Sequence, residues 1–175
     1  MTQPRKRAPK LERPVATEDE IRVLASTLRM RILRVCLYDA HTNKEIADVL
    51  GKDPATVLHH VRRLVDTGFL AAQPVRRGTR GSREIPYRAT GKSWRLDNPA
   101  KDRHLLETFL EEVALVPVEQ MGSMRMGMRM TQEMLDEFED RLRELVEEFR
   151  GRADAANTGD AWSIFFAIHP DPNQT

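Results

Sequence analysis

The sequence predicts an α+β fold, and three observations carry the prediction. From Thr42 to Phe69, TNKEIADVLGKDPATVLHHVRRLVDTGF, two short helical patterns are joined by a tight turn. From Phe69 to Thr90 the apolar spacing changes to period two around RRGTRGSR, a loop with four arginines. From Gly122 to His169 two period-two runs flank one long helical pattern. The expected order is a helical domain with a β-hairpin, a following helix, and a C-terminal β-α-β unit.

A chain of 175 residues has room for one domain or two small ones. Charged residues make up 31% and aromatics 6%, which suits a helix-rich protein. The net charge of +1 conceals an asymmetry. Met1–Arg103 holds 22 Lys/Arg against 12 Asp/Glu, and His104–Thr175 holds 6 against 15. A basic half beside an acidic one suggests a polyanion-binding module joined to one that does not bind polyanions. Cys36 is the single cysteine, so no intrachain disulfide or cysteine metal site is expected. No apolar run approaches the ~20 residues needed to cross a membrane. The basic N-terminus lacks the apolar core of a signal peptide, so a cytoplasmic location and no membrane partner are expected.

Residues 1–16 read as a disordered basic arm. Met1–Pro14 has three prolines and five basic residues and cannot bury enough apolar surface to fold alone. It would either add phosphate contacts beside a duplex or serve as a soluble tail. Order is expected over 17–96. Thr17-Glu18-Asp19-Glu20 is a capping box. Ile21, Leu24, Ala25 and Leu28 follow at helical spacing, then Ile32, Leu33, Cys36 and Leu37, with a break expected at Ser26-Thr27. Cys36 lies on the buried stripe as a small core residue.

Thr42-Asn43-Lys44-Glu45 is a second capping box, opening a helix that buries Ile46, Ala47 and Leu50 and ends at Gly51. Asp53 then caps a helix with Pro54 at its first position. Val57, His60, Val61, Leu64 and Val65 form its inner face, and Gly68 closes it. His60 is expected to be a hydrogen-bonded core residue. Ala55, Thr56, His59, Arg62 and Arg63 point outward, with Leu58 at the border. This is a helix-turn-helix whose second helix, 54–67, suits a major groove. Ala55 and Thr56 permit close approach and contact with thymine methyls. His59 and Arg63 can reach base-edge acceptors, and Arg62, Lys44 and Lys52 are placed for phosphates.

The hairpin that follows is a wing. Leu70, Ala72 and Val75 lead in, and Ile85, Tyr87 and Ala89 lead out. Arg76, Arg77, Arg80 and Arg83 at its tip can enter a minor groove or grip phosphate. Gly91-Lys92-Ser93 has the end of a phosphate-loop pattern, but Pro86 stands where that pattern needs glycine.

Leu24–Cys36, LASTLRMRILRVC, resembles the opening helix of ArsR-type winged-helix regulators. NKEIADVLGKDPATVLHHVRRLVDTGFL is similar to their helix-turn-helix, including the triplet His59-His60-Val61. Tyr87–Thr90, YRAT, sits where their second wing strand ends. The likeness covers about Leu24 to Trp94 and implies a homodimeric transcription factor, usually a repressor released by a ligand. Metal sensors of that family use cysteine clusters, and this chain has Cys36 alone. Their recognition helix commonly has serine where Leu58 stands.

Asn98-Pro99 predicts a further helix within 97–120, with Leu105, Leu106, Phe109, Leu110 and Val113 in a stripe. The resemblance makes it a dimerisation helix, facing the Ile21, Leu24 and Leu28 stripe of a partner. Packing on its own core is compatible with that. Residues 121–170 read as the β-α-β unit, with 171–175 as a tail. Gly122–Met130 alternates Met124, Met126, Met128 and Met130 with Arg125, Gly127 and Arg129. Thr131 caps a helix burying Met134, Leu135, Phe138, Leu142, Leu145, Val146 and Phe149, with surface pairs Glu137–Arg141 and Glu139–Arg143. Ala161–His169 is the second strand. Two strands make no stable sheet alone, so they should join another sheet or a partner's. The methionines read as a flexible core strand rather than a soft-metal site. Plain core is likewise favoured over a small apolar effector between them and Trp162, Phe165 and Phe166.

The function expected is a sequence-specific DNA-binding regulator, a repressor as the resemblance implies, acting as a homodimer on a near-palindromic site in double-stranded DNA. No cofactor, metal or catalytic constellation is read. The alternative is a winged helix used for protein contacts, for which His59→Ala with Arg63→Ala would leave function intact.

Overall fold

The computed structural model describes residues 13–78, 81–97, 103–156 and 158–173. The chain divides into two units, one ending at Val118 and the other beginning at Glu119.

In the first unit the first four helices start where their caps are written. Thr17 and Glu20 form both halves of the capping box of α1 (Glu18–Leu24). Ser26 breaks the chain and caps α2 (Thr27–Val35). Thr42 and Glu45 form a second complete box on α3 (Asn43–Leu50), and Gly51 ends that helix at φ +61°, where a side chain would be strained. Asp53 accepts from the amides of Ala55 and Thr56 at 2.9 and 3.2 Å and opens α4 (Pro54–Asp66). Each cap satisfies amides that the helix itself cannot, and each contributes about 1 kcal/mol.

Three short antiparallel strands make the main sheet, in the order β1 (His41–Thr42), β5 (Pro86–Ala89), β2 (Leu70–Ala72). The tip of the wing is a separate pair, β3 (Arg76–Arg77) and β4 (Arg83–Glu84). A four-residue helix, α5 (Lys92–Arg95), follows β5. The core joins Val23, Leu24, Ile32, Leu33 and Cys36 to Ile46, Val57, Val61, Leu64, Phe69 and Leu70. Burying each of the larger side chains stabilises the fold by about 1.5–3 kcal/mol. Burial also pushes the Cys36 thiol up to about 12, as befits a core residue.

Several expectations for this unit change. The domain begins before Thr17: Ala16 is buried, its amide donates to the Asp97 carbonyl at 2.9 Å, and the Asp97 amide donates to Pro14 at 2.9 Å. The rest of the arm, residues 1–12, and the Asn98-Pro99 helix start lie outside the described residues. The helix after the wing, α6 (His104–Val113), has no side-chain cap bond at Arg103. It meets α2 through buried Thr108 and the ion pairs Arg31–Glu111 (3.4 Å) and Arg34–Glu112 (3.6 Å). Its apolar stripe therefore turns away from its own core: Leu105, Leu106 and Leu110 are exposed, with Phe109 and Val113 half-buried. On the opposing stripe Leu24 is a core residue and Leu28 packs on the core, because the break at Ser26 turns them inward. Only Ile21 keeps partial exposure without joining that cluster.

In the second unit α7 (Gln132–Ala156) forms as expected, with the Thr131 hydroxyl accepting from the Met134 amide at 3.3 Å. Glu137–Arg141 pairs, whereas Arg143 pairs with Asp140 rather than Glu139. The β-α-β unit does not form within one chain. No strand or bridge occurs among the described residues of 121–131 and 158–173, because a strand needs a hydrogen-bonded neighbour and neither segment has one. Met124, Met126, Met128, Trp162 and Phe166 are exposed, as are Met134, Phe138, Leu145 and Phe149 on α7. A single chain thus builds from these residues neither the plain core expected nor an enclosed site for an apolar effector.

Candidate nucleic-acid interface

The α3–α4 turn presents the second helix as a rigid body. Gly51 reverses the chain, and the Lys52 amide donates to Ala47 at 3.0 Å. Asn43 Nδ2 donates to the Pro54 carbonyl at 2.8 Å and locks the start of α3 to the start of α4. Val57, Val61 and Leu64 are fully buried, which fixes the rotation of α4 about its axis. Ala55, Thr56, His59 and Arg62 are left exposed on the opposite side. Small residues at the start of the helix and longer ones a turn or two later are what a helix entering a groove by its N-terminal end requires.

Arg63 departs from this set. It is ion-paired to Asp19 of α1, so it ties α4 to the rest of the domain instead of standing free. His59 and His60 meet edge-to-face at 5.5 Å between centroids. His60 is turned inward as expected, but its buried Nδ1 has no hydrogen-bond partner among the described residues. Burial, then the nearby Arg29 guanidinium, then His59 hold its pKa below the usual histidine value.

The wing repeats the division between tied and free cations. Arg76 at its base is paired with Glu45, the capping-box acid of α3, and lies 3.4 Å from Glu84. Glu45 is held below the usual carboxylate range first by the Thr42 amide and further by Arg76. Arg77 and Arg83 stand directly opposite each other in the β3–β4 register, both exposed. Like charges facing across a strand pair are destabilising, and the fold supplies no acid between these two. Gly78 lets Glu84 cross the ladder where a Cβ would collide with the carboxylate. Arg80 lies outside the described residues.

Of the other expected phosphate contacts, Lys44 is paired with Asp48 at 2.6 Å and Lys52 is exposed in the turn. Among the described residues, then, Lys44, Arg63 and Arg76 are internally paired, and Lys52, Arg62, Arg77 and Arg83 carry no ion pair. Sequence reasoning missed Lys92. It pairs with Glu20 at 2.6 Å, donates to the Thr67 carbonyl at 2.6 Å and lies over the Phe69 ring, drawing the Glu20 pKa down to about 2. Its failed phosphate-loop pattern concealed this structural role, and no local spacing signals it. No three His, Cys, Asp or Glu side chains converge as a metal site among the described residues. No helix among them is long and apolar enough to cross a membrane.

Residues 24–77 match a protein-family model described as a helix-turn-helix domain. The ArsR-type likeness of the sequence agrees with it. Similar solved structures include a homodimeric winged helix-turn-helix DNA-binding domain from Mycobacterium bovis, described as a possible ArsR-family transcriptional regulator. It is 22% identical over 53% of this chain and 72% of its own, with a TM-score of 0.34. ZitR from Lactococcus lactis, in complex with DNA, is 23% identical over 80% of each chain, with a TM-score of 0.29. The transcriptional regulator SlyA is 16% identical over 74% of this chain and 78% of its own, with a TM-score of 0.32. No curated protein matches the chain significantly.

Proposed function

We propose that this helix-turn-helix chain is a sequence-specific DNA-binding regulator that acts as a homodimer. The observation that carries the reading is the sorting of cations. Lys52, Arg62, Arg77 and Arg83 keep their charge free while neighbouring cations are consumed by the fold. Ala55, Thr56 and His59 lie among the base-facing positions of a capped, rotationally fixed helix. Free cations supply phosphate affinity, and the exposed helix face supplies base contacts.

The exposed Leu105, Leu106 and Leu110 of α6, with Ile21, support self-association, because an apolar helix stripe left in water is costly. Two copies related by a two-fold would set their recognition helices in successive major grooves about 34 Å apart, on a near-palindromic site. The ArsR-type resemblance of Leu24–Trp94 favours repression. Selection of bound fragments from the native genome at moderate salt tests the reading. A shared near-palindromic motif is expected, and binding without sequence preference would overturn it.

A further inference from the structure

We propose that Gly122–Met130 is the centre of an intersubunit β-sheet, paired antiparallel with the same segment of a second copy. The inference rests on the homodimer read above and assigns that dimer a second contact, distinct from α6.

The second unit is unfinished as a single chain. No described residue from Glu119 to Asn173 is buried, although α7 carries an apolar stripe. Two segments of equal length, Gly122–Met130 and Ala161–His169, lie outside any helix or strand and carry apolar side chains at every second position. Met124, Met126 and Met128 are 83, 56 and 52% exposed, and Trp162, Ile164, Phe166 and Ile168 are 73, 74, 55 and 43% exposed. Period two places each set on one face of a strand. The backbone amides and carbonyls of such segments are a template for a further strand.

The charge pattern selects the occupant. Gly122–Met130 carries Arg125 and Arg129 and no acid. Antiparallel pairing with itself about Met126 sets Met126 opposite Met126, Met124 opposite Met128, Arg125 opposite Gly127 and Arg129 opposite Ser123. Every facing pair is then Met with Met, Met130 with Gly122, or arginine with a small residue, and no like charges meet. Pairing shifted by one residue, about Gly127, would set Arg125 against Arg129. The segment is thus self-complementary in one register and penalised in the next, as a two-fold interface requires. Ala161–His169 completes the sheet from outside. With α7 as a right-handed crossover it runs parallel to Gly122–Met130 of its own chain, giving four strands, enough for a stable sheet. The Met and aromatic faces then share the side that α7 covers.

Cysteine scanning on the full chain tests this. Residues facing across the two-fold lie about 5 Å apart at Cβ, within disulfide reach, whereas their diagonal neighbours are about 7–8 Å apart. Met126→Cys, treated with oxidised glutathione, should double in mass on a denaturing, non-reducing gel, and Arg125→Cys should stay single. Native Cys36 is buried and serves as an internal blank. Sedimentation of both variants reports assembly independently. If both sediment as dimers and neither cross-links, or only Arg125→Cys does, the sheet is refuted and the homodimer stands. If the chain sediments as a monomer, both readings fall.

Discussion

Replacing Arg77 and Arg83 together by alanine should flatten the salt dependence of DNA binding, and the same change at Arg76 should not. Arg77 and Arg83 are exposed, face each other across the wing ladder and have no ion pair among the described residues. Arg76, one residue away, is already neutralised by Glu45 and Glu84. Each phosphate that a cation neutralises contributes about −0.9 to the slope of log K against log salt. Two arginines in each of two subunits make four such contacts, so the double variant should lose about 3.6 of the slope. Between about 50 and 200 mM salt, a fourfold change, its deficit against the native chain should therefore shrink by roughly 150-fold. Fluorescence anisotropy on one operator fragment across a salt series measures both slopes. Arg76→Ala should change the slope by less than about one contact's worth and leave stability close to native, since its pairs are exposed. Equal flattening by Arg76→Ala, or an unchanged slope in the double variant, would refute the division between free and consumed cations.

Asp53→Ala removes the cap of the recognition helix and should cost about 0.5–2 kcal/mol in urea unfolding, with Asp53→Asn close to native. Glu20 titrates at about 2 when folded and at 4.5 otherwise, so its contribution is complete above pH 4.5 and disappears as pH falls towards 2. Glu20→Gln should therefore be less stable than the native chain at neutral pH and equal to it near pH 2, as followed by circular dichroism. Cys36 should resist a thiol reagent at pH 8 in the native state and react at once in urea, because burial holds its thiol near 12.

The caps of α1, α3 and α4 were legible because a cap is a local object. Thr17 and Glu20, or Thr42 and Glu45, are three residues apart, and the bond they make follows from side-chain length alone. The inward face of α4 was legible for a similar reason, since period 3.6 names the face before any partner is known. The partners of Arg63 and Arg76 were not. Asp19 is 44 residues from Arg63 and Glu45 is 31 from Arg76, so a count of arginines registers their charge without its neutralisation. His41–Thr42 is too short to show alternation, and Thr42 already served as a cap. In the C-terminal half, period two names an apolar face for each segment but does not say whether a chain holds its own second strand.

What makes the wing and the recognition helix one surface is a relay of contacts through α3. Arg76 at the wing base grips Glu45. Glu45 is fixed by Thr42 as half of the α3 capping box. Asn43, the next residue, holds the Pro54 carbonyl at the start of α4. Rotating the wing would break the ion pair to Glu45, the side chain whose other oxygen caps the first turn of α3, and shifting α3 would strain the Asn43 bond to Pro54. The acids that reduce the free charge of the basic half are thus its alignment device. Glu45 neutralises one arginine, and in doing so it keeps Arg77 and Arg83 in fixed relation to Ala55 and Thr56. For the DNA surface proposed above, that fixed relation matters more than one additional cation, because phosphate contacts position a helix that reads bases.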